Sequence, residues 1–190
     1  MTLPADSAQT PSAAVADPWK PVLIRAAVAL VFGVVTAFWS SPSVEVLAWA
    51  AGLYLVATAA AVWMWRALPV FVPVVIALAG VAALVTQSDA GVALSAIVAL
   101  LVLGASELTR GVMKRDGLAR DWLISGVIAV GTAIALPFFI SLGAHALLGV
   151  AGGGAIITGV LWILSGLTLR HDARTASPAS VPGASPEAVN

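Results

Sequence analysis

Six long apolar runs, separated by short polar stretches, dominate the hydropathy pattern of the chain. They cover approximately residues 21–40, 44–65, 70–87, 90–110, 122–141 and 144–169. Each run is close to the ~20 residues that an α-helix needs to cross the ~30 Å hydrocarbon core of a bilayer. The pattern therefore predicts an all-α, polytopic membrane protein with six transmembrane helices.

If consecutive runs cross the membrane in opposite directions, all the basic residues lie on the same side of it. Lys20 and Arg25 belong to the N-terminal tail and its junction, and the others follow the second, fourth and sixth runs: Arg66, Arg110, Lys114, Arg115, Arg120, Arg170 and Arg174. The first, third and fifth gaps carry none. Because Lys and Arg hold short loops in the cytoplasm, we predict a multi-pass protein of the inner (plasma) membrane with both termini cytoplasmic.

Composition narrows the classes of function. The 190 residues are 61% hydrophobic and only 9% charged, whereas soluble domains carry ~25% charged residues. A formal net charge of zero offers no basic surface for nucleic acid. The absence of Cys and the presence of only two His exclude thiolate chemistry and a multi-His metal site within one chain. We therefore expect no enzyme, cofactor or metal, and the lipid bilayer as the first partner.

The two ends of the chain have a different composition from the apolar runs. Residues 1–20 and 171–190 are rich in Pro, Ala and Ser and cannot bury enough apolar surface to fold. They are expected to be disordered cytoplasmic tails flanking a transmembrane domain over 21–170. The N-terminal tail has no apolar core and no A-x-A cleavage signal follows, so the first run is expected to be an uncleaved signal anchor.

The runs also pair into three similar hairpins, over about 25–68, 72–115 and 123–170. The outer gaps are very short, whereas the inner gaps are longer and charged. Each hairpin closes with a basic residue on the inner side. Self-similarity at such a period is typical of one supersecondary unit used several times. We predict three tandem helical hairpins arranged as parallel repeats.

Small residues suggest how these repeats correspond. The proposed equivalent pairs are Gly33 with Ala57 and Gly80 with Gly104, each 24 residues apart, and Gly131 with Gly159, 28 residues apart. The third pair is thus one helical turn longer. We predict that the first members of these pairs occupy equivalent places, and that the second members do likewise.

Tandem hairpins with a small-residue-rich second helix and a basic cap resemble the HdeD-like acid-resistance membrane proteins. The segment LLVLGASELTRGVMKR, over 100–115, is similar to the family's pattern of small residues, Glu and then basic residues. The third hairpin has ITGVLWILSGLTLR, with Trp162 in place of Glu107, and the first has LVATAAAVWMWRAL, with neither the Glu nor most glycines. The resemblance covers about 25–170 and implies the fold, the membrane location and a role in acid stress, but no shared catalytic residues.

Glu107 is the only acidic residue inside an apolar run. It lies about 17 residues, or roughly 25 Å, from the outer end of its helix, and Arg110 follows on the same helix face. We interpret it as a structural ion pair near the inner interface, within reach of Arg110 or Arg66, so that Glu107→Gln lowers stability modestly. The alternative is a carboxylate that senses or relays protons. Otherwise the runs lack ionisable groups away from their ends, which disfavours an ion-coupled transporter.

Three titratable residues lie at the outer turns: Glu45, Asp89 and His145. His is the residue that changes charge between about pH 5 and 8, so these groups could register external acid. The simpler interpretation, which we favour, is that they are polar turn residues facing water.

Two further patterns concern helix packing and the membrane interface. Gly149, Gly153 and Gly159 give small-residue spacing in the sixth run, which favours packing against a helix of the same chain or, alternatively, a dimer contact. The tryptophans near the run ends are interpreted as an interfacial belt: Trp19, Trp65 and Trp122 on the inner side and Trp39 on the outer side. Pro137 predicts a kink near the outer end of the fifth run.

Two hypotheses of function remain. The first is a non-enzymatic, HdeD-like integral membrane protein that protects in acid or envelope stress through association with lipid, with itself as a homo-oligomer, or with other membrane proteins. The second is a small transporter or channel whose pore forms between subunits. Outer loops of two or three residues cannot house a soluble catalytic or receptor domain.

Overall fold

The computed structural model describes residues 19–114 and 117–175, and this part of the chain is all-helical. The six α-helices are α1 (Trp19–Phe38), α2 (Val44–Trp65), α3 (Phe71–Thr86), α4 (Asp89–Met113), α5 (Ala119–Ala135) and α6 (Ala144–Thr175), and a 3-10 segment (Leu136–Leu142) continues α5. Five of these spans are long and apolar enough to cross a membrane, while α3 is shorter at 16 residues. The predicted all-α membrane class is confirmed.

The ends of the helices follow local chemistry. Ser43 and Ser88 cap α2 and α4, each accepting a hydrogen bond from a backbone N–H of the first turn, at 3.3 and 3.2 Å. At Pro137 the α-helix gives way to the 3-10 segment, because proline donates no backbone hydrogen bond and cannot continue the α-helical ladder. The predicted kink is thus a change of helix type.

The boundaries of the tails differ slightly from the prediction. Trp19 and Lys20 already belong to α1, and α6 continues through residues 171–175. These seven residues are therefore helical instead of part of a disordered tail. The other residues assigned to the tails lie outside the described residues.

The helices form a ring around a small centre. The most extensive contacts join α2 with α3, α4 with α5, and α6 with α1. Helices α2, α4 and α6 also contact one another, whereas α1, α3 and α5 do not. The even-numbered helices therefore line the centre of the bundle, and the odd-numbered helices pack around them.

A glycine pair lies where each of these extensive contacts is tightest. A Cβ atom added to Gly80, Gly104 or Gly33 would stand 2.9 Å from the carbonyl oxygen of Gly52, Gly126 or Gly152, respectively. No side chain fits at that distance, so glycine is what lets the backbones approach each other. All three close helix pairs thus depend on a contact between two glycines.

These contacts correct the predicted register of the third hairpin. Gly33 and Gly80 both lie at close helix contacts, but at Gly131 an added Cβ would have no atom of the described residues within 4 Å. Gly126 makes the contact in α5 instead. Five residues separate the two glycines, and five residues rotate about 140° around an α-helix. The prediction therefore selected the wrong face of α5.

The second members of the pairs need the same correction. Gly52 and Gly152, and not Ala57 and Gly159, make the backbone contacts that correspond to that of Gly104. Ala57 is five residues from Gly52 and faces elsewhere, while Gly159 is two turns from Gly152 on nearly the same face. The small residues of α2 and α6 occupy several faces, so spacing alone could not choose among them.

Candidate functional site

An ion pair lies inside the bundle. Nη2 of Arg25 in α1 donates a hydrogen bond to Oε1 of Glu107 in α4. The two residues are 3% and 0% exposed. Arg25 is six residues from the start of α1, and Glu107 is six residues from the end of α4, so each lies about 9 Å from that end of its helix. We call this end of the bundle, which carries the basic residues, the inner end.

This pair changes the interpretation of both residues. The sequence interpretation assigned Arg25 to the junction with the N-terminal tail and expected Glu107 to pair with Arg110 or Arg66. The structure brings Arg25 to Glu107, a partner that interpretation did not assign. Arg25, assigned by sequence to the junction with the tail, is thus a buried residue of α1.

Arg110 joins α4 to the connection between α2 and α3. Its Nη1 donates a hydrogen bond to the carbonyl oxygen of Ala67 at 2.6 Å. Its guanidinium carbon lies 5.1 Å from the centre of the Trp122 ring, within the range of a cation–π interaction. Arg110 therefore fixes the inner end of α4 against two other parts of the bundle.

Three tryptophans pack against one another, two of them next to Arg25. Trp65 stacks on Trp122 with ring centres 4.5 Å apart, and the edge-to-face contacts of Trp162 with Trp65 and Trp122 have centres 5.1 and 5.0 Å apart. The guanidinium carbon of Arg25 lies 4.9 Å from the Trp162 ring and 6.0 Å from the Trp122 ring. We call Arg25, Glu107, Trp65, Trp122 and Trp162 the ion–aromatic cluster.

The prediction that Trp122 belongs to an interfacial belt is therefore wrong, because its side chain is fully buried. Trp162 is also fully buried. Their rings fill the space beside a guanidinium that the bilayer would otherwise have to solvate, and aromatic faces attract such a cation. Trp39 is exposed at the outer end. Five helices, α1, α2, α4, α5 and α6, each supply one residue of the cluster, which links most of the bundle.

Hydroxyl groups extend the polar contacts around the cluster. Trp162 Nε1 donates to Ser125 Oγ at 3.1 Å, and Ser165 Oγ donates to Asp121 Oδ2 at 2.8 Å. Both bonds join α5 to α6. Asp121 lies in the first turn of α5, and sequence reasoning did not select it because a polar residue at a helix end has no distinctive spacing.

A small cavity lies at the centre of the bundle, next to Arg25. Its volume is about 30 Å³, which is enough for about two water molecules. The polar part of its wall consists of Arg25, Tyr54, Thr58, Ser125, Thr132 and Thr158. Arg25 Nη1, Glu107 Oε2 and Trp122 Nε1 are buried without a hydrogen-bond partner among the described residues. A cavity of this size can solvate the guanidinium but cannot hold an organic substrate.

The outer titratable residues occupy the first turns of their helices. Glu45 and His145 are exposed, and Asp89 is partly buried, with Oδ2 near Gly143. Within the described part of the chain, no hydrogen bond or ion pair joins these three side chains, and no group of His, Asp and Glu is placed to hold a metal. The structure therefore does not gather them into one site.

The α6 glycines fall into two groups. Gly159 packs against Leu30 of α1, whereas Gly149 and Gly153 are exposed and have no atom of another helix within 4 Å of an added Cβ. Among the described residues, packing within the chain therefore involves Gly159, whereas Gly149 and Gly153 make no such contact. Those two leave a stretch of α6 backbone open to the surroundings.

No protein-family model matches the chain, and neither a curated protein nor a solved structure is detectably similar to it. The fold itself defines the class: the chain is an all-α integral membrane protein. Any more specific function has to be inferred from the ion–aromatic cluster and from the surface of the bundle.

Proposed function

We propose that this is a non-enzymatic, HdeD-like protein of the inner membrane that protects in acid or envelope stress by associating with lipid or partner proteins. All six helices cross the membrane, as three tandem hairpins, and both termini are cytoplasmic. The observation that carries this proposal is the ion–aromatic cluster, which closes the inner half of the bundle. A closed bundle acts through its surface.

The packing of the cluster supports a structural role. Arg25 and Glu107 neutralise each other, and the rings of Trp122 and Trp162 cover the guanidinium. Removing one partner of such a pair leaves a buried, uncompensated charge, which is strongly destabilising. The glycine contacts hold the surrounding helices at close distance. These features favour one fixed arrangement of helices.

The ring of helices supports the tandem hairpins. Each hairpin, α1–α2, α3–α4 and α5–α6, contributes its second helix to the centre and its first helix to the periphery. Each first helix then makes an extensive glycine-mediated contact with the second helix of a different hairpin. Three copies of one unit around an axis would produce this pattern. Helix α3 is shorter than the ~30 Å bilayer core, a mismatch that local thinning accommodates.

Association partners follow from the exposed surface. Gly149 and Gly153 leave α6 backbone accessible, and exposed small residues of this spacing favour close approach of a second helix in lipid. A second copy of the chain or another membrane protein would therefore pack here. Cross-linking of cysteine variants at Gly149 in native membranes tests this, and monomers only would contradict it.

One observation favours the alternative function, a small transporter or channel. An ionisable pair inside a membrane segment marks an ion or proton pathway in many proteins. Here Arg25 Nη1 and Glu107 Oε2 are left without partners among the described residues, and Arg25 adjoins a cavity with hydroxyl groups in its wall. A path would have to open transiently or lie between subunits, because the central cavity is only about 30 Å³.

Flux measurements distinguish these two functions. We expect liposomes that contain the purified protein to leak protons and small ions no faster than protein-free liposomes, because apolar constrictions of small bore exclude water. Glu107→Ala liposomes serve as the matched control for leakage caused by a loosened core. Saturable flux through a protein shown to be monomeric would contradict the proposed function and support a transporter.

The proposed orientation has its own test. Since all nine basic residues fall in the sequence before or at the start of the first apolar run or after the second, fourth and sixth runs, a reporter fused after Thr175, beyond the end of α6, should give a cytoplasmic signal. A reporter inserted at Asp89 should give an external signal. An external signal from the C-terminal fusion would reverse the assignment of the inner end.

A further inference from the structure

A groove opens at the inner end between the α2–α3 connection and the inner half of α4. Its volume is about 760 Å³, far larger than the central cavity. Three basic residues, Arg66, Arg110 and Lys114, lie along it together with apolar side chains that include Phe71 and Met113. We call it the inner groove. It is distinct from the ion–aromatic cluster, with Arg110 contacting both.

The charge of the inner groove is of one sign. No acidic residue lines it in the part of the chain that the structure describes. The side chains of Arg66 and Lys114 are exposed, while Arg110 is anchored on the Ala67 carbonyl. The inner groove thus presents two exposed cations next to one held by a hydrogen bond, an arrangement that attracts a phosphate group.

Other basic residues at the inner end are arranged differently. Lys20 and Arg170 both lie near the ring of Trp19, with 5.5 and 5.2 Å between the charged group and the ring centre. Arg25 is buried against Glu107. The inner groove, by contrast, combines two exposed cations, Arg66 and Lys114, with an open volume.

The inner groove also has an apolar part. Phe71 and Met113 are 59% and 75% exposed, so large apolar side chains stand uncovered directly beside the cations. The hydroxyls of Ser106 and Thr109 donate to carbonyls of their own helix, so the basic residues are its principal polar groups. Such a surface suits a ligand that is anionic at one end and hydrocarbon at the other.

We propose that the inner groove binds the headgroup and upper acyl chains of an anionic phospholipid. Its phosphate lies between Arg66 and Lys114, and its chains run over Phe71 and Met113. Basic pockets between transmembrane helices on the cytoplasmic side recognise anionic headgroups in this way. The inference rests on the lipid association in the proposed function and names its lipid class and site. A free phosphate would use the cations but leave the apolar wall uncovered.

The test measures lipids retained by the intact protein. We expect the full chain, taken from mixed micelles of phosphatidylcholine and phosphatidylglycerol, to retain phosphatidylglycerol selectively in native mass spectrometry. Arg66→Gln/Lys114→Gln should lower that affinity by about 10- to 30-fold, since each basic residue near the surface contributes about fivefold. The matched control, Arg120→Gln/Arg174→Gln, removes two exposed charges that do not line the inner groove. Because the attraction of a charge falls off within a Debye length, this control should lower the affinity less than about twofold.

Two further measurements separate loss of lipid binding from misfolding and from simple phosphate binding. Arg66 has a left-handed backbone at the end of α2, with φ of 51°, so Arg66→Gly removes the charge while relieving the backbone. It should fold at least as well as the wild type and still lose phosphatidylglycerol. Added inorganic phosphate should not displace the lipid.

Three outcomes would overturn the inference: equal retention by the Arg66→Gln/Lys114→Gln variant and the wild type, equal loss in the Arg120→Gln/Arg174→Gln control, or full displacement by inorganic phosphate. The flux measurement is independent of all three. A protein that conducts ions but binds phosphatidylglycerol selectively would refute the proposed function and support the lipid site in the inner groove. A protein that conducts no ions and shows no lipid selectivity would refute the lipid site and leave the proposed function standing.

Discussion

Glu107→Ala should lower the free energy of unfolding by about 3–5 kcal/mol. The variant leaves the Arg25 guanidinium buried at 3% exposure without its counter-charge. The sequence interpretation expects a modest effect of Glu107→Gln, because it locates Glu107 at the interface, where a pair contributes at most ~1 kcal/mol. Full burial inside the bundle is what raises the expected loss.

Unfolding in mild detergent by added denaturant measures this loss. Glu45→Ala is the matched control, because it removes an exposed carboxylate at the outer end, and it should change stability by no more than about 0.5 kcal/mol. The double variant Arg25→Met/Glu107→Leu should recover most of the loss, since apolar residues of similar size often replace a buried pair without cost. A Glu107→Ala protein as stable as the wild type would refute the structural role of the pair.

Gly104→Val should cost about 3 kcal/mol, near the upper end for overpacked sites. A Cβ at Gly104 would lie 2.9 Å from the Gly126 carbonyl oxygen and 3.0 Å from the Val130 backbone nitrogen. Both are backbone atoms, so α4 and α5 have to move apart. The separation would also disturb the bond between Trp162 and Ser125, because Ser125 adjoins the contact in α5.

Gly131→Ala is the matched control, because an added Cβ there meets nothing within 4 Å. Alanine at that position should stabilise α5 by about 0.5–1 kcal/mol through its better helix propensity. Thermal unfolding of the two variants in the same detergent compares them directly. The reverse order of stability would restore the predicted register, with Gly131 at the contact.

Hydropathy alone locates the helices well. The apolar runs begin and end within a few residues of the helices, and the serines before Val44 and Asp89 cap helices as their residue type predicts. Membrane helices are predictable in this way because every residue in the bilayer core must satisfy its backbone within the helix. Hydropathy does not identify the packing face of a helix when several faces carry small residues, as α5 does with Gly126 and Gly131.

The ion–aromatic cluster was harder to foresee, because its members come from five helices. One signal was nevertheless present. Arg25 and Glu107 lie equally far from the inner ends of their helices, and a charge inside an apolar run needs a partner at the same depth. Trp122 and Trp162 gave no such signal, since tryptophan near the end of a run suits either an interface or a buried cation.

Survival at low pH offers the most direct test of the central claim, that the buried pair builds a protective bundle and does not relay protons. A strain lacking the protein would be complemented with the wild type or with Arg25→Met/Glu107→Leu at matched, folded expression. We expect both to restore survival equally. A folded double variant that protects no better than the empty vector would show that the charges themselves act, and a wild type without effect would remove the stress role.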